Sequence, residues 1–268
     1  MNEFTAVEST WDVPDTWQQG RGAWGGLPIR AMIEAVVHNE IGSRAVRSIT
    51  AQIPEPVLAE RHHVVTKLIR SGSAISMWQV DIIRSSQNLT VARGQIVTGE
   101  DKNLQLDPPA DTWGTAIFPR APAPSDVIIA PVGPLSGPAF TQHLEYRPIA
   151  PLPTTGTEAM VLGWINIPQK TETGAHWNSA QLLATADAWL PSPYTLMKPM
   201  RPVATVSFSA NLLIDPKEIA PVAGDRSPLL HEGSVSSVHG GFMSELRRLW
   251  TPDGRLVVEN LQSIMVIK

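Results

Sequence analysis

The chain contains no cysteine. Disulfides, a thiolate nucleophile and cysteine-held zinc or iron–sulfur centres are therefore excluded. It also lacks any apolar run near the ~20 residues that a membrane-spanning helix needs. Its first residues, MNEFTAVEST, have neither a basic start nor an apolar stretch of the secretory kind. A cytoplasmic protein with no membrane span is expected, in which the Asn88-Leu89-Thr90 glycosylation signal has no role. Positive charge in excess is missing too: a net charge of -4 offers no basic face to nucleic acid, and no such partner is expected. Metal-ligand spacing is absent. His231-Glu232 has Val235 where a second ligand would stand, and adjacent His62 and His63 point to opposite faces of a strand. No metal and no cofactor is expected. The nearest approach to a serine nucleophile elbow, Gly133-Pro134-Leu135-Ser136-Gly137, has the wrong spacing and sits among prolines.

What is present is enough apolar material, 43% of the residues, for a soluble globular protein with a sizeable core. Its most informative stretch is WNSAQLLATADAWLP, 177–191. Asn178 is placed to accept a hydrogen bond from the backbone of a starting helix, with Gln181 reaching back as in a capping box and Trp177 and Leu182 at staple positions. From Ala180 to Leu190 the pattern is apolar on nearly every side, which predicts an enclosed helix stopped by Pro191. It carries one carboxylate, Asp187. A carboxylate removed from water must find partners or take up a proton, so Asp187 is a functional candidate.

An earlier helix is predicted over LPIRAMIEAVV, following the Gly- and Trp-rich loop WDVPDTWQQGRGAWGG, with Pro28 in its first turn and Gly42 as its stop. Arg30 and Glu34, four residues apart, read as a local ion pair. Alternating, β-branched segments follow from Ala45, His62, Ala74 and Leu89. After a Pro-rich stretch, read as an extended linker, the same order returns. FTQHLEYRPI from Phe140 echoes the opening strand expected at FTAVES, 4–9, MVLGWINI adds another, and the Asp187 helix and further strands follow. The last two strands turn at Thr251-Pro252-Asp253-Gly254. This is a repeat of about half the chain. Laid over each other without gaps, the two hairpins pair Leu89 with Leu256 and Gln95 with Gln262, and the helices place Glu34 over Asp187. The division expected is 1–105, a linker at 106–138, and 139–268.

A long helix wrapped by antiparallel strands, occurring twice, resembles the double hot-dog fold of the acyl-CoA thioesterase II family. GRGAWGGLPIRAMIEAVV looks like that family's first helix with its glycine approach, and TADAWLP, ATVSFSANL and RLVVENLQSIMV look like the segments holding its catalytic residues. The resemblance implies an α+β fold of two antiparallel sheets, each wrapped round a long central helix. It implies an acyl-CoA hydrolase that assembles as a homodimer or higher homo-oligomer. The catalytic residues it implies are Asp187, Thr205 and Gln262.

Strand periodicity bears on these assignments separately. Leu256, Val258, Asn260, Gln262, Ile264 and Val266 share one face, which sets Gln262 among core residues. Thr205 shares its face with Ser207 and Ser209, so either that face lines a polar cleft or the match is displaced by one residue. With no cysteine or serine nucleophile, water is the expected attacker, deprotonated by Asp187 while Thr205 and Gln262 hold it or polarise the carbonyl. Gly25 and Gly26 are candidate substrate-binding donors for the oxyanion at a helix N-terminus, or they simply make the turn into the helix. The first half offers Glu34, Gln95 and Ser48 at the corresponding places, and is expected to be structural or to line the acyl tunnel. Arg247 and Arg248 are expected to face solvent on at least one side, where either meets a coenzyme A phosphate. Two alternatives remain. A hot-dog hydratase or dehydratase implies a histidine soon after the helix aspartate, and AWLPSPYTL has none. The other is a catalytically silent acyl-binding protein.

Overall fold

The computed structural model describes residues 5–102, 105–109, 113, 116–169, 171–172 and 174–267. Phe4, at the start of the predicted first strand, and residues 110–112, 114 and 115 of the linker lie outside them. The first half contains β1 (Val7–Asp12), the short β2 (Gln18–Gln19) and β3 (Gly22–Ala23), α1 (Gly26–Asn39), β4 (Ala45–Gln52), β5 (Arg61–Ser71), β6 (Ile75–Arg84) and β7 (Leu89–Gly99). The second contains β8 (Glu145–Ala150), β9 (Met160–Asn166), α2 (Ser179–Thr185), β10 (Val203–Leu212), β11 (Leu229–His239), β12 (Phe242–Trp250) and β13 (Leu256–Val266).

Among the described residues, 11 of the strands join in one antiparallel sheet, ordered β1-β5-β6-β7-β4-β10-β13-β12-β11-β9-β8, and β2 and β3 pair with each other. The expectation of two separate sheets is corrected here. Each half would leave an unpaired edge at β4 and β10, and the two edges satisfy one another, Ser48 opposite Asn211 and Ile49 opposite Ala210. From that seam outward the order of the first half, β4, β7, β6, β5, β1, is mirrored by β10, β13, β12, β11, β9. The counterpart of β1 is therefore β9; β8, predicted as its echo, is an added edge strand. Strand register confirms the turn at Gly254, whose φ is +87.

Helix α1 packs on β4 to β7, α2 on β10 and β13, and the two helices touch. Ile29, Met32, Ile33 and Val36 of α1 are buried without remainder. Arg30 and Glu34 make the expected ion pair at 2.7 Å on its outer side, and Arg30 also binds Glu172. Among the described residues no helix is long and apolar enough to cross a membrane. The linker is extended but docked. Ala116, Phe118, Ala121 and Val127 pack on a small cluster of Trp164, Leu230 and Trp250. The Trp164 indole donates to the Pro122 carbonyl at 3.0 Å.

The second helix differs from its prediction. Asn178 and Gln181 form the expected capping box, with bonds of 2.8 and 3.0 Å. Yet α2 is only 7 residues long and ends at Thr185. Its last turn tightens, Asp187 N–H bonding Ala184 O and Ala188 N–H bonding Thr185 O. Asp187 thus stands just past a helix end, not within a long helix. Helix ends leave carbonyls without intrahelical partners, and here side chains from three distant strands and loops supply them. Arg247 donates to Ala186 O at 3.3 Å, the Trp24 indole to Asp187 O at 3.0 Å, and the Tyr146 hydroxyl to Ala188 O at 2.8 Å. Those donors hold the aspartate's backbone in place.

Candidate active site

The Asp187 side chain is 9% exposed. Its Oδ1 accepts from the Gln262 amide at 2.9 Å and from Arg247 at 3.4 Å. The backbone N–H of Gly26, at the start of α1, also donates to it. Burial pushes the carboxyl above the usual aspartate range; Arg247 and the Gln262 bond pull it down, Glu245 adds to the rise, and the Gly26 bond opposes it. Burial thus raises the carboxyl, and groups from α1, β12 and β13 adjust that rise.

Gln262 faces the core, as the periodicity of β13 predicts, and is 1% exposed. Its amide nitrogen is shared between Asp187 and Asn260 Oδ1, each at 2.9 Å, and its carbonyl oxygen accepts from the Thr205 hydroxyl at 2.9 Å. A chain of hydrogen bonds therefore runs Thr205, Gln262, Asp187. Simple alternation puts Thr205 with Ser207 and Ser209, on the other side of β10. A β-bulge resolves this: Thr205 pairs with Ile264 and Ser207 with Ser263, so Val206 is the extra residue and Thr205 turns to the inner face. Thr205 therefore reaches Gln262 from the inner side of β10, and the polar face of Ser207 and Ser209 belongs to the outside.

Gly25 and Gly26 lie against the carboxylate, across the seam between the halves. Neither has a positive φ, and Gly25 is already helical at φ -59 and ψ -29, so chain reversal does not require glycine there. Space does. A Cβ on Gly25 would stand 2.7 Å from Asp187 Oδ2, and one on Gly26 would stand 2.1 Å from the Trp24 ring. In this structure the Gly26 N–H donates to the Asp187 carboxylate.

Family models cover both halves: the acyl-CoA thioesterase N-terminal domain matches residues 13–99 and the acyl-CoA thioesterase C-terminal domain residues 117–266. The chain belongs to the acyl-CoA thioesterase family. It is a thioester hydrolase. Among solved structures it is similar to a conserved protein of unknown function with a hot dog fold from Alicyclobacillus acidocaldarius, at 18% identity over 97% of this chain and 93% of that one, TM-score 0.83. A putative thioesterase II from Thermobifida fusca YX aligns at 18% identity over 97% and 92%, TM-score 0.79. The acyl-CoA thioesterase II TesB2 from Mycobacterium marinum aligns at 15% identity over 97% and 93%, TM-score 0.70. At such identities these likenesses speak for the hot-dog fold. No curated protein sequence matches the chain.

In this thioesterase the two halves differ sharply at equivalent places. The first-half residues paired with the site by gapless overlay do not hold, because they face outward. Gln95 is exposed, opposite Thr50 and Gln79, while Ile96, opposite Ile49 and Trp78, faces the core where Gln262 does in the other half. A bulge between Val46 and Ser48 repeats the one beside Thr205, so buried Val46 stands in the threonine's place and Ser48 does not. Glu34 is half exposed, at 49%, and bound to Arg30. The first half's buried helix-end carboxylate is Glu40 instead, tied to Trp78, Thr98 and Ser76.

Sequence reasoning missed Glu245, Arg247 and Tyr146. Arg247, expected to face solvent, is 2% exposed, and Glu245 is fully buried. The signal was available in β12, where Met243, Glu245, Arg247 and Leu249 alternate on the core face. Arg248 faces the other way and pairs with Glu259 at 2.8 Å.

Proposed function

We propose that the protein hydrolyses fatty acyl-CoA thioesters to the free acid and coenzyme A, with Asp187, Gln262 and Thr205 as its catalytic set. The observation that carries this reading is a nearly enclosed carboxylate whose direction is set by Gln262 at 2.9 Å, beside the glycines that open α1. Asp187 takes a proton from a water molecule, whose oxygen attacks the thioester carbonyl carbon. The carbonyl electrons move to oxygen, and the positive end of α1 at Gly25 stabilises that charge. The intermediate collapses by breaking its carbon–sulfur bond, and the sulfur leaves with the proton that Asp187 had taken. Gln262 keeps Oδ1 occupied, so Oδ2 is the oxygen left to meet water; Thr205 keeps the amide from rotating. The division at 1–105, 106–138 and 139–268 goes with this reading, as does a cytoplasmic homodimer or higher homo-oligomer, β1 and β8 being the outer strands of the sheet.

The test is release of free thiol from acyl-CoA substrates of graded chain length, run beside hydration of an enoyl-CoA. Thiol and carboxylic acid are expected in equal amounts and no hydrated product. Hydration without thiol release would overturn the reading. Within the set, Thr205→Val keeps the shape of the side chain but removes the donor to Gln262. A lost hydrogen bond of this kind lowers kcat roughly three- to tenfold. Steady-state kinetics should show that drop, with Ser48→Ala in the first half unchanged.

A further inference from the structure

We propose that Glu245 and Arg247 form a charge clamp that positions Asp187 and sets the pH at which the site becomes active. The inference rests on the reading of Asp187 as the base. The two residues stand one repeat apart on the inner face of β12 and grip both sides of the turn that carries the aspartate. Arg247 reaches the Ala186 carbonyl and Asp187 Oδ1; Glu245 accepts the Ser192 N–H at 2.9 Å and binds Arg247 at 3.1 Å. The clamp fixes the segment from Ala186 to Ser192 from outside its own element.

The fold itself does not call for this ion pair. At the matching places of β6, Trp78 pairs with Ile96 as Glu245 pairs with Gln262, and Val80 pairs with Gly94 as Arg247 pairs with Asn260. The first half fills these positions with apolar side chains and buries them well. Burying a glutamate and an arginine is costly, and apolar replacements of similar volume are often as stable or more so. At these two strand positions only the half that bears Asp187 carries that cost, which points to Asp187 as its reason; the first half's Glu40 meets its arginine, Arg44, from beside its own helix end instead.

The charges facing Asp187 can be named from each packed element. Arg247 draws it toward the ionised form, and Glu245 opposes that while it screens Arg247. Tyr146 of β8 faces it as a neutral phenol, raised by burial and by Asp187 itself. His231 of β11, stacked on Trp189 at 5.4 Å, is kept neutral by burial and by Arg247. From α1 comes the Gly26 N–H, and from β13 the uncharged Gln262. Arg30 is occupied by Glu34 and Glu172. The balance at Asp187 therefore turns on the two β12 residues, which act through it and are positioning residues.

The experiment measures kcat/KM against pH, and titrates Asp187 itself by carboxyl carbon-13 NMR, identified as the signal missing from Asp187→Asn. Glu245→Gln should move the acid limb and the Asp187 titration to lower pH, and Arg247→Met should move both to higher pH, each by about one unit. Arg247→Lys should recover most of the wild-type position. If Arg247→Met does not fold, the opposite shift of Glu245→Gln still decides. A uniform loss of kcat in Glu245→Gln with the Asp187 titration unmoved would overturn the clamp, as would an unmoved titration in Arg247→Met. Full turnover in Asp187→Asn would sink the base reading instead. The NMR titration would then still show whether Glu245 and Arg247 govern Asp187.

Discussion

Asp187→Asn should lower kcat for acyl-CoA hydrolysis by about 10²- to 10⁴-fold, the usual worth of a positioned general base. Asparagine keeps the size of the side chain and an acceptor for the Gln262 amide, but it cannot take a proton from water. Glu34→Gln, at the first helix's counterpart, should leave kcat unchanged, because Glu34 is half exposed and bound to Arg30. The same variant makes a statement about stability. Burial raises the carboxyl of Asp187 above its unfolded value, so the folded protein binds that proton more tightly than the unfolded chain does. Its contribution to stability is complete below the unfolded pKa and is lost as the pH rises through the folded one. The melting temperature of Asp187→Asn relative to wild type should therefore improve as pH rises from mildly acidic to neutral. Thermal melts across that range check the sign. Undiminished turnover would remove Asp187 from the mechanism.

Gly25→Ala is the second large effect, expected to cut kcat by about 10²-fold, the cost of displacing a reacting group by about 1 Å. The new methyl carbon would stand 2.7 Å from Asp187 Oδ2, well inside contact distance. The carboxylate cannot retreat freely, since Gln262 and Arg247 hold Oδ1 on its other side and Trp24 holds its backbone carbonyl. The backbone at Gly25 has helical angles that alanine adopts readily, so the melting temperature should move by only a few degrees. Kinetics and a thermal melt on one preparation separate the two effects. A fall in stability without a fall in kcat would show that the glycine serves folding alone.

Both expectations depend on contacts that a reading of the chain reaches only in part. Gln262 was visible because strand periodicity is local: apart from Asn260 its neighbours at every second position are apolar, and that places it inward whatever β13 pairs with. The capping box was visible for a like reason, being a bond between residues three apart. The apolar pattern of 177–191 singled out Asp187 and the family resemblance added Thr205, but their surroundings were not open to the same reasoning. The helix appeared to run on to Leu190 because Ala186, Ala188 and Leu190 suit a helix well. It ends at Thr185, and Arg247, Trp24 and Tyr146, far away in sequence, take the carbonyls of Ala186, Asp187 and Ala188 just beyond it. Thr205 could not be oriented by alternation, since one extra residue in β10 reverses every face before it. The overlay of the halves failed for Gln95 and Ser48 on the same ground: small shifts in register change which side chain is buried.

By itself the sequence determined the two copies of one helix-and-strand pattern, the inward glutamine, the helix cap and the lack of cysteine and of a Gly-x-Ser-x-Gly elbow. All of these follow from composition and short-range spacing. Only the tertiary structure decided that the copies share a single sheet through β4 and β10, that the first half lends Gly25, Gly26 and Trp24 to the second half's aspartate, and that Arg247 and Glu245 are buried beside it. A charge in an alternating strand is normally assigned to water, since burial costs several kcal/mol per ion. What reverses that assignment is a partner supplied across the fold, and such partners are set by three-dimensional packing.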